Sequence, residues 1–81
     1  MTEYAIKTPQ QLGAVLAGYR KQRSLTQQAA GEKVGLGQSV VSSLEKSPER
    51  AGLARIFKLL AALDLELVVR PQGKSARRTA W

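Results

Sequence analysis

Residues 26–45 read TQQAAGEKVGLGQSVVSSLE, and this stretch decides the fold. Thr26 is a residue type that caps helices, and Gly35 stands where a left-handed residue would end a short helix begun at Gln27. A second short helix is predicted from Gln38 to Glu45. The stretch therefore predicts two short helices joined by a tight turn around residues 35–37.

Small residues in the first of these helices predict that the second one approaches it closely. Ala29, Ala30 and Gly31 present little side chain, although Gly31 costs roughly 1 kcal/mol against alanine inside a helix. We expect close packing to be the reason for this glycine. The space between the helices is filled by apolar side chains, namely Val34, Leu36, Val41 and Leu44. Such a pair with a glycine in its turn is a helix-turn-helix unit.

Two further helices are predicted around this unit. Thr8, Pro9 and Gln11 form a capping box with proline at the first helical position, and the helix runs to Lys21 or Gln22. Its apolar side chains at helical spacing are Leu12, Val15, Leu16 and Tyr19. After a break at residues 47–50, a last helix is predicted over residues 52–63. Its apolar face is predicted to contain Leu53, Ile56, Phe57, Leu60 and Leu63.

The pattern then changes to alternation, with Leu65, Leu67 and Val69 on one side of a strand over residues 65–70. A lone strand leaves open backbone groups, so we predict that it pairs with the same strand of a second copy. The alternative is packing on the N-terminal arm around Tyr4 and Ile6. The predicted organisation is an arm (1–7), a helix-turn-helix domain (8–64), a dimerisation strand (65–70) and a flexible basic tail ending in Trp81 (71–81).

Composition narrows the function. The 81 residues contain 13 Lys and Arg against 6 Asp and Glu, a formal charge of +7, which favours a polyanionic partner such as nucleic acid. Cysteine and histidine are absent, so we expect no enzyme, no metal site, no cofactor and no small-molecule ligand. No apolar run approaches the ~20 residues of a membrane span, and no signal peptide is recognisable. We therefore expect a cytoplasmic protein without membrane contact.

The outward face of the second short helix indicates how nucleic acid would be bound. It presents Gln38, Ser39, Ser42 and Ser43 without charge, whereas a merely solvated face usually carries Lys and Glu. Glutamine pairs bidentately with adenine, and serine can donate or accept. An ordinary polar surface is the alternative interpretation. Phosphates would be bound by backbone amides near Thr26 and by flanking groups, namely Ser43, Lys46 and Arg50.

The stretch resembles the Xre/Cro family of phage-repressor-like helix-turn-helix domains. The matching residues are Leu25-Thr26-Gln27, Lys33-Val34-Gly35-Leu36, Gln38-Ser39, Val41-Ser42 and Leu44-Glu45. The resemblance implies a compact, all-α domain of four to five helices. It also implies that a homodimer reads a palindromic operator in the major groove of double-stranded DNA.

The same resemblance implies roles for individual residues. Gln27 would contact a phosphate, and Gln38, Ser39 and Ser42 would read bases. Arg20 and Glu45 would form an ion pair. The chain departs from the family at Gly31, where alanine is usual, and at Gly37, where a polar cap residue is common.

The chain's order, with Pro48 after the second short helix, then Leu-Asp-Leu-Glu-Leu-Val-Val and a tail ending in Trp81, resembles HipB-like antitoxins. These autorepressors bind a HipA-like serine/threonine kinase toxin, and the resemblance implies that Trp81 enters a pocket of that kinase. Two alternatives stay open. One is a free-standing Xre-family regulator without a toxin, and the other is a kinase inhibitor that does not bind DNA.

Overall fold

A computed structural model describes residues 3–72 of the chain. These residues form an all-α fold, which confirms the predicted fold class. A single 3₁₀ turn, Pro48–Arg50, links the third and fourth helices. The four α-helices in chain order are α1 (Pro9–Gln22), α2 (Gln27–Glu32), α3 (Gln38–Lys46) and α4 (Leu53–Ala62).

The first helix begins with the predicted capping box. Thr8 Oγ1 accepts a hydrogen bond from the Gln11 backbone N–H at 3.1 Å, and Gln11 Oε1 accepts one from the Thr8 backbone N–H at 3.1 Å. Pro9 occupies the first helical position, where its missing N–H costs nothing. Two otherwise unpaired backbone donors are thus satisfied, which fixes where α1 starts.

The core lies between the four helices: α3 packs against both α1 and α2, and α4 packs against α2. Its apolar side chains follow helical spacing, so each helix contributes one inward face. The fully buried large side chains are Leu16, Val41, Leu44, Leu59 and Leu63. Ala30 of α2 is also fully buried.

Two buried glycines allow neighbouring backbone segments to pack in direct contact. A Cβ at Gly31 would collide with the carbonyl oxygen of Leu36 and lie 3.0 Å from Val41 Cγ2. A Cβ at Gly13 would collide with the carbonyl oxygen of Glu45. The prediction that close packing explains Gly31 is confirmed, and Gly13 plays the same part where α1 meets α3.

The second helix is shorter than the sequence predicts. It ends at Glu32, because the backbone N–H groups of Val34 and Leu36 both turn back to the Gly31 carbonyl, at 3.0 and 2.9 Å. Gly35 then adopts φ +74°, the left-handed conformation that glycine takes at low cost.

The predicted apolar face of α4 is partly wrong. Leu53 and Phe57 are 61% and 48% exposed, whereas Leu59, which was not predicted, is fully buried. The buried positions Ile56, Leu59, Leu60 and Leu63 recur at i, i+3, i+4 and i+7. Leu53 and Phe57 lie at the margin of this face, so the helix turns them toward solvent.

Residues 65–72 follow α4 without forming a helix or a strand. Leu65 donates its backbone N–H to the Leu60 carbonyl at 2.8 Å and packs against the core. Leu67, Val68 and Val69 are exposed. The part of the chain that the structure describes contains no β-ladder. The predicted pairing of residues 65–70 is between two copies and stays a prediction.

The N-terminal arm lies beside this segment, since Arg70 Nη1 and Glu3 Oε1 form an exposed ion pair at 2.9 Å. The arm is the alternative partner that the sequence left open, and the contact here is made by side chains alone. Within residues 3–72, no helix has the length and apolar character needed to span a membrane.

Candidate nucleic-acid interface

The third helix offers an uncharged polar face at its N-terminal half. Val41 and Leu44 anchor α3 in the core, which turns Gln38, Ser39 and Ser43 to solvent. Ser42 is half-buried at the edge of this face. Three of the four predicted face residues are therefore accessible together, and Ser42 is the least open of the predicted base-reading residues.

Behind this face lies an ion pair that joins α1 to α3. Arg20 Nε donates to Glu45 Oε2 at 2.6 Å and Arg20 Nη2 donates to Glu45 Oε1 at 3.2 Å. Arg20 Nη1 also donates to the Leu25 carbonyl at 2.7 Å. The two side chains are only 10% and 7% exposed. This two-point contact is the ion pair that the family resemblance implied, and it fixes the C-terminal end of α3 against α1.

A chain of hydrogen bonds connects this ion pair to the exposed face. Gln27 Nε2 donates to Glu45 Oε1 at 3.0 Å, and Gln38 Nε2 donates to Gln27 Oε1 at 2.6 Å. The order is therefore Arg20, Glu45, Gln27 and Gln38, which we call the amide relay. A relay that starts from a nearly buried ion pair restricts the rotamer of Gln38 before any ligand arrives.

The relay leaves Gln38 able to read a base. A glutamine amide has two N–H donors and a carbonyl acceptor, and the bond to Gln27 uses one donor. Adenine recognition needs one N–H and the carbonyl oxygen. Gln27, which the resemblance assigned to a phosphate, has its carbonyl oxygen and one N–H engaged in the relay, so its other N–H is the group suited to a phosphate.

The start of α2 is where backbone amides are predicted to bind a phosphate. Thr26 is the N-cap, and its Oγ1 accepts a hydrogen bond from the Ala29 backbone N–H at 2.9 Å. The hydroxyl hydrogen can still be donated to a phosphate oxygen. Thr26 therefore makes a structural bond and keeps a hydroxyl donor, next to Gln27 at the same end of the helix.

Cationic side chains lie beside the exposed face of α3. Lys46 ends α3, Arg50 ends the 3₁₀ turn, and both are exposed. They line a shallow depression together with Ser39 and Ser43. The charged side chains that line this depression are all cations, as expected for a surface that meets phosphates.

Arg55 lines the same depression and was missed from the sequence. It lies in the first turn of α4 and is exposed. Its signal in the sequence was its position at the start of the helix that follows Lys46 and Arg50. The apolar pattern of that helix does not indicate a role for Arg55.

The predicted dimerisation residues are placed unequally. Leu65 is half-buried against the core, whereas Leu67 and Val69 are 55% and 92% exposed. Leu53 and Phe57 of α4 add exposed apolar surface that the sequence pattern had assigned to the core. Trp81, the predicted toxin-binding residue, lies outside the described residues.

Comparison with known proteins agrees with this geometry. The Helix-turn-helix family model matches residues 16–69. Antitoxin HipB of Escherichia coli strain K12 is 30% identical, in a match covering 100% of this chain and 99% of that protein. Antitoxin HipB of Escherichia coli O6:H1 strain CFT073 is 30% identical, covering 85% of this chain and 73% of that protein.

Solved structures of HipB have the same fold. The HipB chain of a HipA–HipB–O2–O3 complex superposes with a TM-score of 0.83 at 28% identity, covering 86% of this chain and 99% of that one. A HipB–O4 20mer complex superposes with a TM-score of 0.82 at 28% identity, covering 86% of this chain and 99% of that one. The chain therefore belongs to the helix-turn-helix family and, within it, to the HipB antitoxins.

Proposed function

We propose that this protein is a cytoplasmic, DNA-binding antitoxin that represses its own operon as a homodimer and neutralises a HipA-like serine/threonine kinase. It is not an enzyme. Its family membership supports this function, because solved structures of relatives include a HipA–HipB–O2–O3 complex and a complex of HipB with the O4 20mer. The amide relay is the observation in this chain that carries the proposal, since it holds an exposed glutamine on an uncharged face of α3.

Base recognition belongs to the first two turns of α3. Gln38 and Ser39 are exposed side by side at its N-terminal end, and Ser42 follows at the edge of the same face. A helix of this type enters the major groove with its N-terminal residues against base edges. Since these side chains carry no charge, their contribution is selection among bases rather than attraction to DNA.

Attraction comes from the groups around that face. Lys46 and Arg50 flank it, and Thr26, Gln27 and Ser43 offer hydrogen-bond donors to phosphate oxygens. The excess of 13 basic over 6 acidic residues favours the approach of the whole chain to DNA. Phosphate contacts set the register of the protein on the duplex and carry no sequence information themselves.

Dimerisation would use Leu65, Leu67 and Val69 of both copies. Two of these side chains are exposed in the single chain, and an exposed apolar segment with open backbone groups favours pairing with its own copy. A two-fold dimer places two recognition helices about one turn of DNA apart, ~34–36 Å, which matches a palindromic operator.

Neutralisation of the kinase is assigned to the C-terminal tail with Trp81, on the basis of the family resemblance. A single large aromatic side chain is a residue type that anchors interfaces. The test is co-purification of the HipA-like kinase with the full chain, and loss of the kinase when Trp81 is removed. Retention of operator binding by the truncated chain would show that the two activities reside in different parts of the molecule.

The test of DNA reading is fluorescence anisotropy with the native operator and a set of single-base variants. We expect Gln38→Ala to lose about 1–3 kcal/mol of discrimination at one base position in each half-site. Gln10→Ala, an exposed glutamine in the first turn of α1, is the control and should leave the preference intact. An unchanged base preference in Gln38→Ala would overturn the assignment of α3 as the reading helix.

A further inference from the structure

Within the described residues, three glycines lie inside helices, and the fold explains only two of them. Gly13 and Gly31 are buried where a Cβ would collide with a neighbouring carbonyl. Gly18, in the middle of α1, is exposed, and a Cβ built there meets nothing within 4 Å. Glycine weakens a helix interior relative to almost any other residue. Within residues 3–72, nothing makes use of the missing side chain at position 18.

Gly18 lies in the floor of a groove on the outer side of α1. Ala14 and Val15 continue the floor. Tyr4 from the N-terminal arm and Tyr19 form one wall, with their rings edge to face and 6.0 Å between centroids. The groove thus offers a small-residue floor against which a backbone could lie, beside an aromatic surface.

The charged side chains that line this groove are both cations. Lys21 and Arg23 are exposed, and the Arg23 guanidinium carbon lies 5.8 Å from the centre of the Tyr19 ring. Their charge complements carboxylates. An acidic protein segment with an apolar side chain would use the floor, the wall and the cations together, whereas a DNA phosphate backbone would use the cations alone.

The groove faces away from the DNA-reading surface. Leu16 and Arg20 point from α1 into the core and toward Glu45 of α3. Gly18 is two residues from each, which is a rotation of about 200° around the helix. A partner in the groove would therefore leave Gln38 and its neighbours free to contact DNA.

Resting on the proposed function, we propose that this groove is a second docking site for the kinase toxin, separate from the Trp81 tail. It accepts a segment of the toxin that carries Asp or Glu side chains beside an apolar one. The segment lies across Gly18, with its acidic groups near Lys21 and Arg23. Docking here adds affinity and fixes the orientation of the toxin while operator DNA is bound.

The experiment is calorimetric titration of the purified HipA-like toxin into the full-length protein and its variants. Gly18→Gln should raise the thermal midpoint by roughly 3–6 °C, because glutamine favours the helix. The same variant should weaken toxin binding about tenfold or more, because its side chain covers the floor. A loss of binding in a more stable protein cannot be attributed to unfolding.

The double variant Lys21→Glu/Arg23→Glu should also weaken toxin binding about tenfold or more, through charge repulsion. Lys33→Glu, an exposed cation outside the groove, is the control and should stay within about twofold of wild type.

Toxin affinity that is unchanged in the groove variants but abolished on removal of Trp81 would overturn the docking site and leave the proposed function standing. Loss of operator affinity with unchanged toxin affinity would overturn it in favour of a DNA contact. If the wild-type protein did not bind the toxin, the antitoxin function would fail, and the docking site with it.

Discussion

The helix-turn-helix unit and the C-terminal segment differ in where their side chains find partners. In residues 26–46, Gln27, Gln38 and Glu45 bond to one another in the amide relay, and Val41 and Leu44 are buried in the core. In residues 66–69 the apolar side chains are exposed. The first region is stabilised within one copy of the chain, whereas the second exposes apolar surface of the kind that binds another molecule.

The substitution with the largest expected effect on the helix-turn-helix unit is at Glu45. Glu45→Ala removes the partner of a nearly buried guanidinium and the anchor of the amide relay. We expect a loss of about 3–5 kcal/mol in the free energy of unfolding, measured by urea denaturation. A loss below about 1 kcal/mol, the range of exposed ion pairs, would show that the unit does not depend on internal bonds.

The C-terminal segment should respond through association instead. Leu67→Asp places a charge on the predicted pairing side and should raise the dimer dissociation constant by about 30-fold, roughly 2 kcal/mol, in analytical ultracentrifugation. Val68→Asp is the matched control, because alternation puts Val68 on the other side of the strand. A dimer that persists in Leu67→Asp would contradict the pairing through residues 65–70.

The relay itself is tested by a double-mutant cycle on operator affinity. Gln27→Ala should weaken binding by about 1 kcal/mol, and its effect should shrink in a Gln38→Ala background, since the two amides act together. Fluorescence anisotropy at fixed salt gives the four affinities. Strictly additive effects would mean that Gln27 contacts DNA independently of Gln38.

The smallest effect is expected at the flanking cations. Lys46→Ala should weaken binding to operator and unrelated DNA alike, and it should reduce the slope of log affinity against log salt by about one for each phosphate that the lysine neutralises. Glu49, exposed in the neighbouring turn, supplies the control Glu49→Ala, which should not reduce the slope. A preference change in Lys46→Ala would indicate that this side chain touches a base instead.

Much of the fold was predictable because its signals are local. The capping box at Thr8 and Gln11, and Gly35 in the turn after the first short helix, need only neighbouring residues to be recognised. The exposed row on α3 was predictable for the same reason, since Val41 and Leu44 fix which side of that helix is buried.

The remaining features depend on how the helices are placed against one another. The Gln27–Glu45 and Gln38–Gln27 bonds join residues 18 and 11 positions apart, which no periodicity indicates. The exposure of Phe57 depends on how α4 is rotated against the core, and its spacing alone suits either side of the helix. Arg55 lies beside Lys46 and Arg50 only because the 3₁₀ turn brings the start of α4 close to the end of α3.

The bond between Gln27 and Gln38 has a practical meaning for changing which operator is bound. A new side chain at position 38 would lose the support of Gln27, and the amide left at position 27 would lose a partner. Libraries intended to retarget the protein should therefore randomise positions 27 and 38 jointly. Glu45 should be held constant in them, because its carboxylate serves both the body of the domain and its reading surface.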